Sequence, residues 1–340
     1  MKKSKVFIIA EIGVNHNGNL KEAFKLIDEA KKCGADAVKF QTYITNELVL
    51  KKAPKAEHHK KNLNNKISHY DILKKLELKF EDFKKLKRYT KQKKLKFIST
   101  PYDIKSLKFL IKLKVDFIKF ASSDLINYPM LEIARKSKLP IIISTGMSTL
   151  NEVEETINFL LKKNKNITVL KCTSSYPAPI NSVNLKNLDS LREIFKNRVN
   201  YGFSDHTLGS VAAITSLKYG VKFIEKHFTL NKKSYGPDHN ASMEPFELKN
   251  YINEIKNSIK ADGSSMWKIN NEEYKQMKTM RKGCYARYNL KKGDTLKSED
   301  IIYLRPPNGI SPKDIFLFLI NKKINKDIKT GMSLDKKYFL

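Results

Sequence analysis

The sequence predicts an α/β fold, a closed (β/α)8 TIM barrel followed by a small C-terminal domain. Short, β-branched apolar runs alternate with amphipathic, lysine-rich stretches from residue 6 to about residue 230. This alternation is typical of right-handed crossovers in a parallel sheet, and the continuous apolar character of the runs indicates that both sheet faces are covered. A doubly wound open sheet is the structural alternative. The eight runs are Val6–Ala10, Ala37–Phe40, Lys96–Ser99, Phe117–Phe120, Ile141–Ser144, Thr168–Leu170, Val199–Phe203 and Phe223–Glu225.

Helical periodicity lies between these runs. The predicted helices are Leu20–Lys32, Phe80–Gln92, Ile104–Leu113, Tyr128–Ser137, Leu150–Lys162, Asn187–Lys196 and Gly209–Tyr219. Residues 42–79 interrupt the rhythm with charged residues, His58, His59 and little apolar content. In a barrel this is an enlarged loop after the second strand, and loops of that size are usually functional.

The C-terminal part reads as a separate small domain. A predicted helix, Phe246–Ile259, closes the barrel region 1–260, and the polar, irregular stretch 261–282 is interpreted as a linker. Residues 283–340 contain short strands, a turn at Lys291–Asp294 and a loop at Arg305–Gly309. We therefore expect a barrel domain, a linker and a C-terminal module without a catalytic site of its own.

The strongly basic composition does not by itself define a function. Among 340 residues, 66 Lys+Arg oppose 35 Asp+Glu, for a formal net charge of +31. The lysines are spread along the chain without an aromatic-interleaved block, so they read as solvated helix faces with a field that favours anionic substrates. We expect no nucleic-acid partner. The rival hypothesis, a nucleic-acid-binding protein, predicts affinity that persists at physiological salt.

Cysteine usage and hydropathy favour a cytoplasmic protein. Cys33, Cys172 and Cys284 are too widely spaced to suggest a disulfide framework or a zinc motif. The apolar run near the N-terminus is shorter than a signal peptide needs, and no run approaches the length of a membrane span. We expect no membrane partner.

Polar residues follow each apolar run, where strands of a barrel end and active sites form. His206 and His227 lie 21 residues apart, one βα unit, which places their imidazoles side by side at the barrel mouth. Neutral imidazoles suit divalent transition metals, with positions left for water and substrate. A pair of structural histidines is the alternative.

Lys39 and Lys119 each end an otherwise apolar strand, and an ammonium there is costly unless an anion meets it. Hydroxyl donors follow other strands, so the site is suited to a phosphate and a carboxylate. A structural ion pair of lysine with Glu11 is the alternative. Glycine-rich nucleotide-binding motifs are missing from the sequence. The hydroxyl donors are Thr100, Ser122, Ser174 and Ser204.

Two acidic residues remain open in their role. Glu11, at the end of the first run, is placed to move protons near a metal or lysines. Asp238 lies on a loop after the eighth run, where a cap or turn residue is the more usual interpretation.

Taken together, these stretches closely resemble the sialic acid synthase family of N-acylneuraminate synthases, along practically the whole chain. The segment from Arg305 to Ser311 looks like the signature of the family's antifreeze-like (SAF, β-clip) domain, which would be residues 283–340. The barrel segments that carry the resemblance are Ala10–Gly18, Val38–Thr42, Ser99–Pro101, Ile143–Met147, Ser204–Thr207, Ile224–Thr229 and Gly236–His239.

The resemblance implies an N-acetylneuraminate synthase, which condenses phosphoenolpyruvate with N-acetylmannosamine and water to give N-acetylneuraminate and phosphate. The alternatives are a legionaminate or pseudaminate synthase acting on a 6-deoxy diacetamido hexose, or another phosphoenolpyruvate-using barrel aldolase. It further implies a divalent metal, Mn²⁺ or Mg²⁺, and a homodimer in which the C-terminal domain caps the partner's barrel.

The resemblance also implies residue roles. Ser174 and Asp124 stand where many bacterial members carry Asn and Glu, so these two positions bear on acceptor specificity. In the implied dimer, Arg305 of one subunit reaches the sugar site of the other. The implied roles are catalytic for Glu11 and Asp124; phosphoenolpyruvate binding for Lys39, Thr100, Lys119, Ser122, Ser174 and Ser204; sugar binding for Gln41, Tyr176, Asp238 and Arg305; and metal binding for His206 and His227.

Overall fold

A computed structural model of the protein describes residues 6–54 and 68–339. Eight parallel strands close into a barrel in which each strand pairs with its neighbours in sequence and β1 pairs with β8. The predicted closed barrel is therefore confirmed. The strands are β1 (Phe7–Gly13), β2 (Ala37–Thr42), β3 (Lys96–Pro101), β4 (Phe117–Phe120), β5 (Ile141–Ser144), β6 (Ile167–Cys172), β7 (Asn200–Asp205) and β8 (Phe223–His227).

Most of these strands run further toward their carboxyl ends than their apolar runs predicted. In β7, Ser204 and Asp205 still pair with Glu225 and Lys226 of β8. Ladder hydrogen bonds join backbone groups, so a polar side chain does not end a strand that its neighbours continue. The extension keeps these polar side chains on rigid β-structure.

The α-helices surround the barrel strands or follow them. The first helix begins where the Asn19 side chain accepts hydrogen bonds from the backbone N–H groups of Lys21 and Glu22, and it ends at Gly34, whose φ is 91°. The helices of the barrel region are α1 (Leu20–Cys33), α2 (Thr45–Leu48), α3 (His69–Leu76), α4 (Phe80–Gln92), α5 (Ile104–Leu113), α6 (Tyr128–Lys136), α7 (Leu150–Leu161), α8 (Asn187–Phe195), α9 (Val211–Leu217) and α10 (Pro245–Asp262).

Apolar side chains fill the barrel interior below the carboxyl ends of the strands. The rings of Phe7, Phe117 and Phe223 meet with centroids 5.3–6.0 Å apart. These rings pack against an inner cluster of aliphatic residues, so the interior is closed on the amino side of the strands. The aliphatic members are Ile9, Ala37, Ile98, Ile142 and Leu170.

The chain divides into two compact units, 1–263 and 264–340. The second unit has its own apolar core around Cys284, Leu296 and Ile324. It contains a two-stranded antiparallel sheet, so the structure supports a small separate C-terminal module. The assignment of this module as an antifreeze-like domain stays a prediction. Its elements are β9 (Gly283–Ala286), β10 (Ile301–Leu304), α11 (Asn271–Met280) and α12 (Pro312–Phe318).

Two segments are more regular than the sequence indicated. Within the predicted linker 261–282, the helix α11 begins at a capping box in which Asn270 and Glu273 satisfy each other's backbone N–H groups. The expectation of irregular structure there was wrong, because a polar helix carries little apolar periodicity. The enlarged loop 42–79 contains α2 and α3, whereas His58 and His59 lie outside the described residues.

Across residues 6–54 and 68–339, no helix has both the length and the apolar character needed to cross a lipid bilayer.

Gly202 makes room for neighbouring strands at the centre of β7, and we predict that Gly202→Ala destabilises the barrel. An added Cβ would lie 2.3 Å from Leu170 Cδ2 and 2.6 Å from the Phe223 carbonyl oxygen. Overpacking of this kind typically costs about 1–3 kcal/mol. Urea unfolding monitored by circular dichroism measures it; an unchanged free energy of unfolding would show that the barrel interior is looser than described.

Candidate active site

A cavity of about 610 Å³ opens at the carboxyl ends of the barrel strands. Strand ends and the loops after them supply its walls, as expected for a barrel of this kind. The cavity brings together most of the side chains predicted from sequence. Twelve predicted residues line it: Glu11, Lys39, Gln41, Thr100, Lys119, Ser122, Ser174, Tyr176, Ser204, His206, His227 and Asp238.

Four buried ionisable side chains form a connected charge cluster on the cavity floor: Glu11, Lys39, Lys119 and Glu225. Lys39 Nζ lies 2.7 Å from Glu11 Oε2 and 3.7 Å from Glu225 Oε2. Lys119 Nζ lies 3.6 Å from Glu225 Oε1. Each side chain is at most 5% exposed. We call this group the charge cluster.

The two carboxylates of the charge cluster differ in their tendency to ionise. Burial raises the pKa of Glu11 to about 7, although Lys39 opposes the shift. Burial would also raise the pKa of Glu225, but the ammonium groups of Lys119 and Lys39 outweigh it and lower that pKa. Glu225 is therefore ionised and serves as the counterion of the two lysines, while Glu11 exchanges its proton near neutral pH. When Glu11 is protonated, two lysines face one carboxylate, and an added anion is favourable.

Glu225 was not assigned a role from the sequence, although it ends the eighth apolar run. Its Oε1 accepts a hydrogen bond from Ser204 Oγ at 3.0 Å, and it contacts both lysines. The available signal was its position two residues before His227, which places both side chains on one face of β8. The ion pair of lysine with Glu11, considered as a structural alternative, is present within the same cluster.

Hydroxyl groups surround the charge cluster and approach the backbone at Gly146. Ser122 Oγ accepts a hydrogen bond from the Gly146 N–H at 3.0 Å. A Cβ at Gly146 would lie 2.2 Å from Ser174 Oγ and 2.8 Å from Ser122 Oγ, so a side chain there would displace both hydroxyls. On the other side, Lys39 Nζ donates to Thr100 Oγ1 at 3.4 Å. This combination of hydroxyls and ammonium groups suits a phosphate or carboxylate.

The two candidate metal ligands are neighbours, with ring centroids 5.5 Å apart. The Tyr176 ring packs 4.1 Å from the His206 ring and lies edge-on to His227 at 5.7 Å. His206 Nδ1 lies 2.8 Å from the Thr173 carbonyl oxygen, an acceptor, so Nδ1 carries the proton and the lone pair is on Nε2. Such orientation by a backbone carbonyl is usual for metal-binding histidines.

This donor set fits a divalent cation. Among the residues that the structure describes, no group of three or more His, Cys, Asp or Glu side chains is arranged to hold a metal. If a metal binds here, the two imidazoles would be its protein ligands, and the other coordination positions would be left to water and substrate oxygens, as in catalytic metal sites.

Gln41 and Asp238 meet beside Glu11 because Gly13 leaves space for them. A Cβ at Gly13 would lie 3.1 Å from Gln41 Nε2, 3.2 Å from Glu11 Oε1 and 3.5 Å from Asp238 Oδ2, and its φ of +55° favours glycine as well. Burial raises the pKa of Asp238 to about 6. Asp238 is thus part of a buried polar site as well as a loop residue.

The loop that carries Asp238 is tied to the loop after β1. His239 Nδ1 is 2.6 Å from Thr229 Oγ1, and its Nε2 is 3.2 Å from Asn17 Oδ1. Asn15 Nδ2 donates to the Phe228 carbonyl at 2.9 Å. These contacts explain why the motifs 10–18 and 236–239 belong to one site although they are distant in sequence.

Two predicted site residues do not line the cavity. Asp124 lies in a 3-10 turn after β4, where Asn127 Nδ2 donates to its Oδ1 at 2.9 Å and Ser123 Oγ to its Oδ2 at 3.3 Å. Arg305 is an exposed residue of the second unit, and its Nη1 lies 3.4 Å from Met280 Sδ. The roles predicted for these two residues stay predictions.

One side of the cavity is an apolar wall that was not predicted from the sequence. Part of it comes from the loop 42–79, whose average composition is polar and whose apolar residues are scattered among charges. Leu73 and His69 are four residues apart on α3 and line the cavity from one helix face. The apolar wall comprises Val14, Tyr43, Leu48, Val49, Leu73 and Tyr102.

We predict that Glu225→Gln destabilises the protein by roughly 3 kcal/mol, because it leaves two buried ammonium groups facing only Glu11. Millimolar inorganic phosphate should recover part of this loss by supplying the missing negative charge. The measurement is urea unfolding with and without phosphate. As a control, Glu81→Gln, which breaks an exposed pair with Lys84, should cost under about 1 kcal/mol. A Glu225→Gln protein as stable as wild type would contradict the charge balance.

Comparisons with known proteins identify the family to which the chain belongs. The NeuB family model matches residues 26–266. The chain is 42% identical over 310 residues to the N,N'-diacetyllegionaminic acid synthase of Campylobacter jejuni, covering 90% of this chain and 92% of that one. It is 32% identical to the human N-acetylneuraminate-9-phosphate synthase, covering 94% and 88%.

A solved structure gives the same result. The N-acetylneuraminic acid synthetase of Leptospira borgpetersenii is 31% identical and superposes with a TM-score of 0.68, covering 81% of this chain and 91% of that one. The predicted resemblance to sialic acid synthases is confirmed, and so is the prediction that the chain is an enzyme. The chain belongs to the NeuB family of sialic-acid-type sugar synthases.

Proposed function

We propose that this enzyme condenses phosphoenolpyruvate with the open-chain aldehyde of an N-acyl hexosamine, giving a nonulosonic acid and inorganic phosphate. The observation that carries the proposal is the charge cluster, in which Lys39 and Lys119 are buried beside hydroxyls and two imidazoles in one cavity. The names of the relatives support the same reaction class.

Phosphoenolpyruvate would bind over the charge cluster. Its carboxylate and phosphate would take the positions that two ammonium groups and the surrounding hydroxyls favour. The anion would strengthen the preference of Glu11 for its protonated form, because a further negative charge lies nearby. The residues assigned to this substrate are Lys39, Thr100, Lys119, Ser122, Ser174 and Ser204, with Glu225 as their counterion.

The sugar aldehyde would lie between the enol and the imidazoles. His206 and His227 would hold a divalent metal, Mn²⁺ or Mg²⁺, which supplies Lewis acidity toward the aldehyde oxygen when bound. Glu11, with a pKa of about 7, holds a proton close to the reacting atoms at neutral pH. It is therefore the group suited to protonate the oxygen that gains charge.

The bond changes balance with water as the third reactant. The methylene carbon of the enol forms a bond to the aldehyde carbon, and the aldehyde oxygen takes a proton. Water adds to the resulting cationic carbon and loses a proton, which replaces the one taken up. The bond from that carbon to the phosphate oxygen then breaks, its hydroxyl proton passes to the departing phosphate, and the keto group forms. The chain contributes by holding two polar reactants in contact, an effect that can supply a large part of the rate enhancement.

The apolar wall bears on the identity of the acceptor. Gln41, Tyr176 and Asp238 are the candidates for contacts with sugar hydroxyls. Facing a wall that contains Val14, Leu48 and Val49, methyl groups are better accommodated than hydroxyls. We therefore propose a 6-deoxy diacetamido hexose, the acceptor of a legionaminate synthase, as the first candidate. N-acetylmannosamine, predicted from the sequence motifs, is the second.

An acceptor panel distinguishes these candidates. With phosphoenolpyruvate and Mn²⁺, we expect kcat/KM for the 6-deoxy diacetamido hexose to exceed that for N-acetylmannosamine by roughly 10-fold or more, the scale that apolar contacts with one or two methyl groups supply. Phosphate release and product mass spectrometry measure it. A preference for N-acetylmannosamine would reverse the acceptor assignment, and no phosphate release with any N-acyl hexosamine would contradict the proposed function itself.

The family resemblance further supports a homodimer in which Arg305 serves the sugar site of the partner's barrel. We predict that Arg305→Ala and His227→Ala proteins, each nearly inactive alone, regain roughly a quarter of wild-type activity when mixed under subunit exchange, because random assortment leaves one complete site in half of the dimers. Activity after mixing, with each variant alone as the control, measures this. No recovery despite exchange would contradict a shared site.

A further inference from the structure

A buried ion pair lies next to both candidate metal ligands, and the proposed chemistry does not use it. Asp205 and Lys226 directly precede His206 and His227 in the sequence. They are partners in the β7–β8 ladder, and Lys226 Nζ lies 3.1 Å from Asp205 Oδ2. The lysine side chain is 2% exposed and the aspartate side chain 0%.

The pair lies on the outer face of the barrel. Side chains of a strand alternate between faces. The cavity is lined by the residues on either side of the pair: Ser204 of β7 and His206 directly after that strand, and Glu225 and His227 of β8. The helix α10 covers the outer face here, and its Tyr251 hydroxyl donates to Asp205 Oδ2 at 2.8 Å.

The same aspartate fixes the turn that follows His206. Asp205 Oδ1 accepts from the Thr207 N–H at 2.8 Å and from Thr207 Oγ1 at 2.7 Å. Lys226 Nζ also donates to the Thr207 carbonyl oxygen. The residues on both sides of His206 are thus bonded to the residue that precedes His227, and this group of four, Asp205, Thr207, Lys226 and Tyr251, is called the outer network.

We propose that the outer network is a positioning device that sets the separation and orientation of the two imidazoles and thereby strengthens divalent metal binding. The inference rests on the proposed function, which assigns the metal to His206 and His227. Partners that hydrogen-bond a metal ligand directly commonly change metal affinity 10- to 100-fold. The outer network acts on the residues adjacent to the ligands, so we expect an effect at the lower end of that range. The cost of removing two charges from water often cancels their attraction, so a buried ion pair adds little net stability. Fixing the geometry of the neighbouring residues is therefore the better explanation for this pair.

The position of the pair within the barrel favours this role over general stabilisation. Backbone hydrogen bonds already join β7 to β8, and the ladder partners Phe203 and Ile224 lie in the same buried apolar core. At the amino end of the barrel, Asp116 makes a more exposed link between strands, accepting from the Phe97 N–H at 2.9 Å and pairing with Lys96 Nζ at 2.8 Å, at the opposite end from the imidazoles. Asp116 is therefore a control for loss of a structural carboxylate.

The test measures Mn²⁺ binding to the full-length protein without substrates, by electron paramagnetic resonance of the free ion. We expect Asp205→Asn to weaken Mn²⁺ binding roughly 10-fold or more. Tyr251→Phe, which removes one hydroxyl and keeps the ring packed, should weaken it by a smaller factor and covers the case in which Asp205→Asn does not fold. Asp116→Asn should change the affinity less than about twofold even if it lowers the unfolding midpoint.

The outcomes separate the two claims. If wild-type protein binds Mn²⁺ and the affinities of Asp205→Asn and Tyr251→Phe equal that of Asp116→Asn, the outer network does not position the ligands and this inference is overturned. If wild-type protein does not bind Mn²⁺, the metal assignment in the proposed function fails, and this inference falls with it. Selective loss of affinity in the two network variants supports both.

Discussion

The rest of the site depends on the need to balance charge among four ionisable groups buried at one end of a barrel. Two lysines and two glutamates are almost inaccessible to water there, where an unpaired charge is expensive. Because Glu11 exchanges its proton near neutrality, the balance is complete only when another anion is present or that proton is lost. A barrel whose amino end is closed by aromatic rings can admit such an anion only from the carboxyl ends of its strands.

This constraint divides the cavity into parts with different chemistry. Ammonium groups and hydroxyls occupy the floor, two imidazoles and Tyr176 lie at one side, and an apolar wall forms another. An anionic enol, a polarised aldehyde and the methyl groups of an acylated sugar each match one of these parts. The two histidines lie at the carboxyl ends of neighbouring strands whose outer faces are joined by a buried ion pair, so the geometry of the inner face depends on contacts behind it.

Much of the barrel and most of the site were predictable because their signals are local. A lysine such as Lys119 after an apolar run, or histidines one βα unit apart, needs only the rule that parallel strands end at the same edge. Other features depend on contacts between distant segments. They are the contact of Glu225 with both lysines, the apolar wall formed within a polar loop, and the meeting of Gln41, Glu11 and Asp238 beside Gly13. Each follows from packing between segments that are distant in sequence. The helix α11 was not predicted because seven of its ten residues are polar and none of them is buried. Asp124 shows that a residue near a strand end can bond within its own turn.

The central claim is that the charge cluster is an anion site for phosphoenolpyruvate, and calorimetric titration of that ligand into metal-free protein tests it most directly. The account predicts binding to wild-type protein, a loss of at least about 30-fold in affinity for Lys119→Met, and unchanged affinity for Lys112→Met, an exposed lysine on α5. Equal affinity of wild-type and Lys119→Met proteins for phosphoenolpyruvate would contradict it.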